Sequence, residues 1–163
     1  MRKFIFIFIA IVVVLAVGYI LANRSGEPED EITSLIEHGR QSIEVKSVKN
    51  ALSCISKDYF DDNDIDYDRL KLIIAQAYRV ESRYQATVEV PTITVNDDRA
   101  IAKTHVVIAV VNEGERNEAF SGDVVIHLKK ERVRRFLIFP AKDWRIIKLE
   151  GTSKLFEKAL TDM

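Results

Sequence analysis

The uncharged stretch at residues 4–22 constrains this chain more than any other feature of its sequence. It reads FIFIFIAIVVVLAVGYILA, with Arg2 and Lys3 before it and Arg24 shortly after it. As a helix with a rise of about 1.5 Å per residue it would be about 28 Å long, close to the hydrocarbon thickness of a bilayer. We therefore predict a transmembrane signal-anchor at residues 1–22, a linker at 23–28 and a domain at 29–163.

Two alternatives to an uncleaved anchor are a cleaved secretory signal and a helix buried in a soluble protein. A cleaved signal has a shorter apolar core and a small-x-small site. Ala16 and Gly18 have that spacing, but cleavage directly after Gly18 would leave apolar residues at the start of the mature chain. The uncleaved anchor is therefore the favoured interpretation.

The charges that flank the predicted span indicate its orientation. Arg2 and Lys3 precede it and only Arg24 follows closely. Because the basic side of a span stays in the cytoplasm, we expect a cytoplasmic N-terminus and a domain on the extracytoplasmic side of the cell membrane. A cytosolic domain tethered by its N-terminus is the alternative.

Composition argues against a nucleic-acid partner. The chain has 24 basic and 25 acidic residues, a formal net charge of −1, whereas a nucleic-acid-binding domain has a net basic surface. The single cysteine, Cys54, cannot form an internal disulfide. It lies in an apolar helical pattern, so we expect it in the core.

The order of predicted elements indicates an α+β fold. Helical spacing of apolar residues covers 29–56, as one bent helix or two, and 66–80, where Asp66 is placed to cap the helix. Gly39 is the expected kink or cap within the first region. From Tyr84 the period changes to two, which predicts four or five antiparallel strands before a short C-terminal helix. Helices followed by strands predict N-terminal helices packed on one face of a curved sheet.

Three stretches carry a resemblance to a known family. They are SKDYFDD at 56–62, YDRLKLIIAQAY at 67–78 and KDWRIIKLEG at 142–151. Together with the element order they resemble the nuclear transport factor 2-like superfamily, the cystatin-like cone fold that includes SnoaL-like cyclases and ketosteroid isomerases. The resemblance covers residues 30–151 and implies a cone of helices wrapped by a curved sheet. No residue-by-residue match to the catalytic sets of these enzymes occurs, so we expect no catalytic residue and no cofactor.

A cone implies an interior pocket, and six side chains are candidates to line it. They are Tyr59, Tyr78, Tyr84, His105, His127 and Trp144. Counting symmetrically about a turn at 112–117 places His105 nearly opposite His127 on adjacent strands. Two imidazoles could begin a zinc site, but such a site needs at least a third ligand and none stands out. We therefore predict no metal.

Residues 129–135, KKERVRR, form the most basic stretch of the chain. Such a stretch could face anionic lipid or an acidic partner. The favoured interpretation is a solvated connection between strands, followed by a turn at 140–143. The histidines, the acids and this basic stretch thus give no catalytic motif.

The leading functional hypothesis is a membrane-anchored extracytoplasmic interaction or scaffold domain without catalytic activity. It would be a subunit of an envelope assembly, with a protein partner or self-association. The layout is similar to that of the periplasmic scaffold proteins of type IV secretion systems, which is an architectural analogy. The alternative is small-molecule binding, or isomerase- or cyclase-like activity, in the cone cavity.

Overall fold

The computed structural model describes residues 26–79, 82–112, 114–135 and 139–153. Within those ranges, every helix is too short or too polar to span a bilayer. The predicted anchor at 4–22 and nearly all of the predicted C-terminal helix lie outside the described residues. The fold described below is therefore that of the domain.

Three helices come first in the described part of the chain: α1 (Pro28–Glu44), α2 (Val48–Ser53) and α3 (Tyr67–Ala77). Pro28 begins α1, where its missing N–H costs nothing, and three acidic residues in the first turn suit the positive end of the helix dipole. The Asp66 side chain accepts the backbone N–H of Arg69 at 2.8 Å and caps α3. This cap confirms the prediction made from the sequence.

The break in the first helical region differs from the expected one. Gly39 lies inside α1 and does not interrupt it. The helix ends instead before Lys46, which adopts a left-handed backbone conformation with φ 52°. Such a residue reverses the chain direction, and the side chain of Ser47 then caps α2 by accepting the N–H of Asn50.

Five strands form one antiparallel sheet: β1 (Arg83–Val88), β2 (Thr92–Asn96), β3 (Arg99–Asn112), β4 (Glu115–Arg135) and β5 (Phe139–Glu150). The order is β1-β3-β4-β5, and β2 also pairs with β3, beyond the end of β1. The alternating segment that begins at Tyr84 is thus divided into two strands. Pro91 lies at the division, as expected for a residue that has no backbone N–H to donate.

The two long hairpins correct the predicted connections. The expected turn at 112–117 is shorter, because β3 ends at Asn112 and β4 begins at Glu115, with Gly114 at φ 91°. The basic stretch at 129–135 is not a solvated connection, because it is the last part of the 21-residue strand β4. The expected turn at 140–143 is also wrong, since those residues belong to β5.

The core lies between the helices and one face of the curled sheet, which we call the inner face. Cys54 is 2% exposed and lies in this core, as predicted. Bulges beside Ile108 and His127 bend the sheet around the helices. The core members from the sheet include Ala100, Ala102, Ile108, Phe120, Val124, Ile126, Leu128, Trp144 and Ile146. The sequence-based expectation of an α+β fold with helices on one side of a curved sheet is therefore confirmed.

The free edge of β5 is covered by the chain that follows α2. The Ser56 N–H donates to Ile146 O at 2.8 Å, and the Ile146 N–H donates to Cys54 O at 2.9 Å. An uncovered edge would be a template for pairing with another chain. This segment therefore satisfies the edge and leads directly into the acidic turn at 57–66.

Candidate functional site

Two of the candidate tyrosines pack together at the end of α3. The Tyr78 and Tyr84 ring centroids are 6.4 Å apart with the planes tilted by 49°. The Tyr84 hydroxyl donates to Ala77 O at 2.9 Å. Burial raises the pKa of Tyr78 to about 12. Both phenols are therefore protonated at neutral pH, and the pair has a packing role that joins α3 to β1.

Tyr59 lies apart from these two, in the turn between α2 and α3. It is 2% exposed, and its hydroxyl donates to Asp61 Oδ2 at 3.0 Å. Asp61 is also buried, and its Oδ1 accepts the backbone N–H groups of Asn63 and Ile65 at 2.8 and 3.2 Å. Burial is the main reason why the pKa of Tyr59 is raised. Asp61 therefore stabilises the turn by accepting these three hydrogen bonds.

Trp144 lies on the inner face of β5 and is 3% exposed. The Lys130 ammonium is 5.4 Å from its ring centroid and forms an ion pair with Glu31 Oε2 at 3.1 Å. The Trp144 indole Nε1 is buried and has no hydrogen-bond partner in the structure described. A buried donor without a partner costs about 1–3 kcal/mol of stability. A hydrogen-bond acceptor that reached Nε1 would remove this cost.

The two histidines do not face each other, and the register predicted for them is wrong. His105 pairs with Asp123, and His127 pairs with Ile101. The observed partner lies four residues from the predicted one along β4, and the shorter β3–β4 turn explains only part of that difference, because symmetric pairing about 112–117 already places Val124 opposite His105. At about 3.3 Å per residue, the two histidines are about 13 Å apart along the sheet. Both lie on the outer face, away from the helices.

His105 belongs to a hydrogen-bonded chain on that outer face. Its Nδ1 is 2.8 Å from Asp123 Oδ1, and its Nε2 is 3.3 Å from Ser121 Oγ. The order of groups resembles a hydrolase triad, in which the acid is buried. The Asp123 side chain is 93% exposed, so water competes for its charge. The hydrogen bond that His105 donates to Asp123 nevertheless raises the pKa of His105, and these three side chains form a polar surface cluster.

His127 belongs to a second polar cluster farther along the outer face. Its Nε2 is 2.9 Å from Glu150 Oε1, which also accepts from Lys148 Nζ at 2.9 Å. Lys148 Nζ is 2.9 Å from Asp62 Oδ1. The hydrogen bond from Lys148 is the main reason why the pKa of Glu150 is lowered. This cluster joins the acidic turn to β4 and β5.

The six candidate side chains therefore occupy separate places. Tyr78 and Tyr84 contact one another, whereas Tyr59 and Trp144 lie elsewhere in the core and the two histidines lie outside it. Residues that the sequence reasoning missed include Asp61 and the pair formed by Lys130 and Glu31. The sequence DDND at 61–64 was a signal for the role of Asp61, since an aspartate side chain commonly accepts the backbone N–H of the residue two positions later. Two-residue alternation from Leu128 would have placed Lys130 on the inner face.

Comparison with solved structures identifies the fold. No protein-family model matches this sequence, and no curated protein matches it. A nuclear transport factor 2-like superfamily protein from Salmonella enterica serovar Typhimurium matches with a TM-score of 0.59 at 15% identity, over 74% of this chain and 87% of the other. A nuclear transport factor 2-like protein with a cystatin-like fold from Novosphingobium aromaticivorans matches with a TM-score of 0.58 at 16% identity, over 82% and 89%.

A third neighbour has the same fold. A protein of unknown function with a cystatin-like fold from Nostoc punctiforme matches with a TM-score of 0.55 at 18% identity, over 77% of this chain and 90% of the other. At such identities the likeness is one of fold. The domain described above therefore has the cystatin-like, nuclear transport factor 2-like fold.

Proposed function

We propose that this protein is a membrane-anchored, extracytoplasmic interaction domain and a non-catalytic subunit of an envelope assembly. The observation that carries the proposal is the start of α1 at Pro28, which is the last residue of the linker that follows the predicted span. A linker of that length reaches at most about 20 Å when fully extended. The ion pair between Glu31 and Lys130 fastens the first turn of α1 to the sheet. The domain is thus held close to the membrane, in the manner expected of a scaffold.

The outer face of the sheet is the surface that we assign to a protein partner or a second copy. α1 and α3 contribute core residues on the inner side, α2 contacts these two helices, and within the described ranges no helix crosses the outer face. Ile101 is 39% exposed there, half-buried Val125 lies diagonally opposite it on β4, and half-buried Val107 lies farther along β3. Apolar side chains next to the two polar clusters give this face the mixed character typical of protein interfaces.

Photo-crosslinking in intact membranes tests this assignment. The full chain would carry a benzophenone amino acid in place of Ile101, on the outer face, or of Leu72, on the solvent side of α3. Both residues are exposed and apolar, so they form a matched pair. We expect covalent adducts with a protein partner or a second copy from position 101 only. No adduct from position 101, or equal adducts from both positions, would contradict the proposal.

The second candidate function is small-molecule binding, or isomerase- or cyclase-like activity, in the interior. It is favoured by the buried indole N–H of Trp144, which could donate to a ligand oxygen, and by Lys130 above the ring. Trp144 is the only tryptophan of the chain, so its fluorescence reports this position alone. A panel of small organic acids should contain a compound that raises the Tm and alters Trp144 emission, and Lys130→Met should abolish both effects. A panel without such a compound would count against this candidate.

A further inference from the structure

The far ends of β4 and β5 form a two-stranded arm. The pairing of β3 with β4 begins at Arg99 opposite Lys129, so residues beyond Lys130 in β4 pair only with β5 among the strands described. We define the β4–β5 arm as residues 131–135 and 139–143, which are joined by pairs from Glu131 with Asp143 to Arg135 with Phe139. At about 3.3 Å per residue the arm extends about 17 Å past Lys130.

The arm has an excess of positive charge that is not balanced within the part of the chain described. Arg132 lies directly opposite Lys142, and both side chains are exposed. Neither has an ion-pair partner among the described residues, and Arg134 and Arg135 add two more basic positions on the same strand. Like charges directly opposite each other destabilise a strand pair. An external anionic surface would remove that repulsion.

Contacts at both ends of α1 fix its direction on the sheet. In its first turn, Glu31 Oε2 is 3.1 Å from Lys130 Nζ, at the base of the arm. In its last turn, Glu44 Oε1 accepts the Ala86 N–H at 3.4 Å. Ala86 pairs with Ile108, which in turn pairs with Phe120 near the opposite end of β4. The chain therefore enters the domain at the end from which the arm projects.

The linker and the arm both start at this end of the domain, and their lengths are similar. The linker that precedes α1 reaches at most about 20 Å, and the arm extends about 17 Å from the base that Glu31 contacts. A domain anchored through residues 4–22 would therefore direct the arm towards the bilayer within reach of its headgroups.

We propose that the β4–β5 arm is a docking site for anionic phospholipid headgroups of the membrane in which residues 4–22 lie. This inference rests on the proposed anchoring. An acidic protein would present similar charges, but the position of the arm beside the entry of α1 favours the bilayer itself. Basic side chains near an anionic bilayer each contribute about fivefold to the ratio of docked to undocked arm.

A fluorescent probe on the arm tests the proposal. The full chain with Cys54→Ala would carry a single new cysteine at Ala141, in the arm, or at Glu115, at the other end of β4. An environment-sensitive fluorophore on that cysteine would be measured in nanodiscs of phosphatidylcholine with or without phosphatidylglycerol. With phosphatidylglycerol present, we expect emission at shorter wavelength and quenching by brominated lipid at position 141 only.

Two substitutions, made singly and together, define the electrostatic contribution. Arg132→Gln and Lys142→Gln should each lower the docked-to-undocked ratio about fivefold, and the double variant about 25-fold. Because both side chains are exposed and their removal relieves the repulsion between them, the Tm of the double variant should be no lower than that of the parent. A double variant that keeps the parent emission would overturn the proposal.

The remaining outcomes separate this inference from the proposed function. A chain that fails to enter nanodiscs contradicts the anchoring on which both depend. A chain that is retained but has a water-exposed probe at position 141 in both lipids overturns the arm inference alone. An equal shift in both lipids, or a shift that requires an added acidic protein, also overturns it.

Discussion

Adjacent residues of β3 and β4 lie in two very different environments. On the inner face, Ala102, Ile126 and Leu128 are at most 6% exposed and pack against the helices. On the outer face, His105 contacts Asp123, and the acid is 93% exposed at its side chain. The same ladder of backbone hydrogen bonds supports both faces, so the difference lies in what the side chains contact.

The difference indicates that stability and recognition are divided between the two faces. Burial of apolar surface contributes about 25 cal/mol per Å², whereas an exposed ion pair contributes about 0–1 kcal/mol and is screened by salt. Changes on the outer face should therefore alter contacts with other molecules at little cost to the fold. Changes on the inner face should lower the stability of the fold and have little effect on contacts with other molecules.

Truncation of matched apolar residues on the two faces should give the largest contrast. Leu128 is 1% exposed on the inner face and Ile101 is 39% exposed on the outer face. Leu128→Ala removes buried contacts and leaves a cavity, so it should lower the free energy of unfolding by about 3 kcal/mol. Ile101→Ala should lower it by less than about 1 kcal/mol. Urea unfolding of the two variants measures both values, and equal losses would remove the distinction between the faces.

Removal of a buried acid should have the next largest effect. Asp61→Ala leaves the Tyr59 hydroxyl and the N–H groups of Asn63 and Ile65 without their acceptor. The expected loss is about 2 kcal/mol in the free energy of unfolding. Asp58→Ala in the same turn is the control, because the Asp58 side chain is exposed and 4.0 Å from its nearest cation. Thermal denaturation of both variants would contradict this account if their Tm values fell equally.

The smallest expected effect is a pH dependence on the outer face. Asp123 raises the pKa of His105 in the folded state. The His105–Asp123 contact therefore stabilises the fold fully below the ordinary histidine pKa of about 6.5, and its contribution is lost as pH rises through the raised pKa. Proton NMR titration should find a lower pKa for His105 in Asp123→Asn. Asp58→Asn should leave the His105 titration unchanged, and a shift in both variants would point to a general charge effect.

Local features of this fold were predictable from the sequence, and long-range ones were not. The cap at Asp66 depends on residues three positions apart, and the apolar spacing of α3 is visible in the sequence itself. The pairing of His105 depends on the short turn at Gly114 and on the bulge after Ile108, and neither is specified by the residues around His105. The predicted histidine pair was therefore displaced by four residues along β4.

The candidate site shows the same limit. The ion pair between Glu31 and Lys130 joins residues 99 positions apart in the chain, and no pattern within either segment specifies the other. The basic stretch at 129–135 was visible in the sequence, but its extension of β4 depends on pairing with β5. The direction of the arm relative to α1 follows only from contacts at both ends of that helix.

The central claim is that the domain is anchored on the outer side of the cell membrane, and cysteine labelling tests it most directly. A full chain with Cys54→Ala and Glu115→Cys carries one exposed thiol. A membrane-impermeant maleimide would be applied to spheroplasts before and after lysis, and the membrane fraction then collected. The account predicts full labelling before lysis and recovery with the membranes after alkaline extraction. Labelling only after lysis, or release into the soluble fraction, would contradict it.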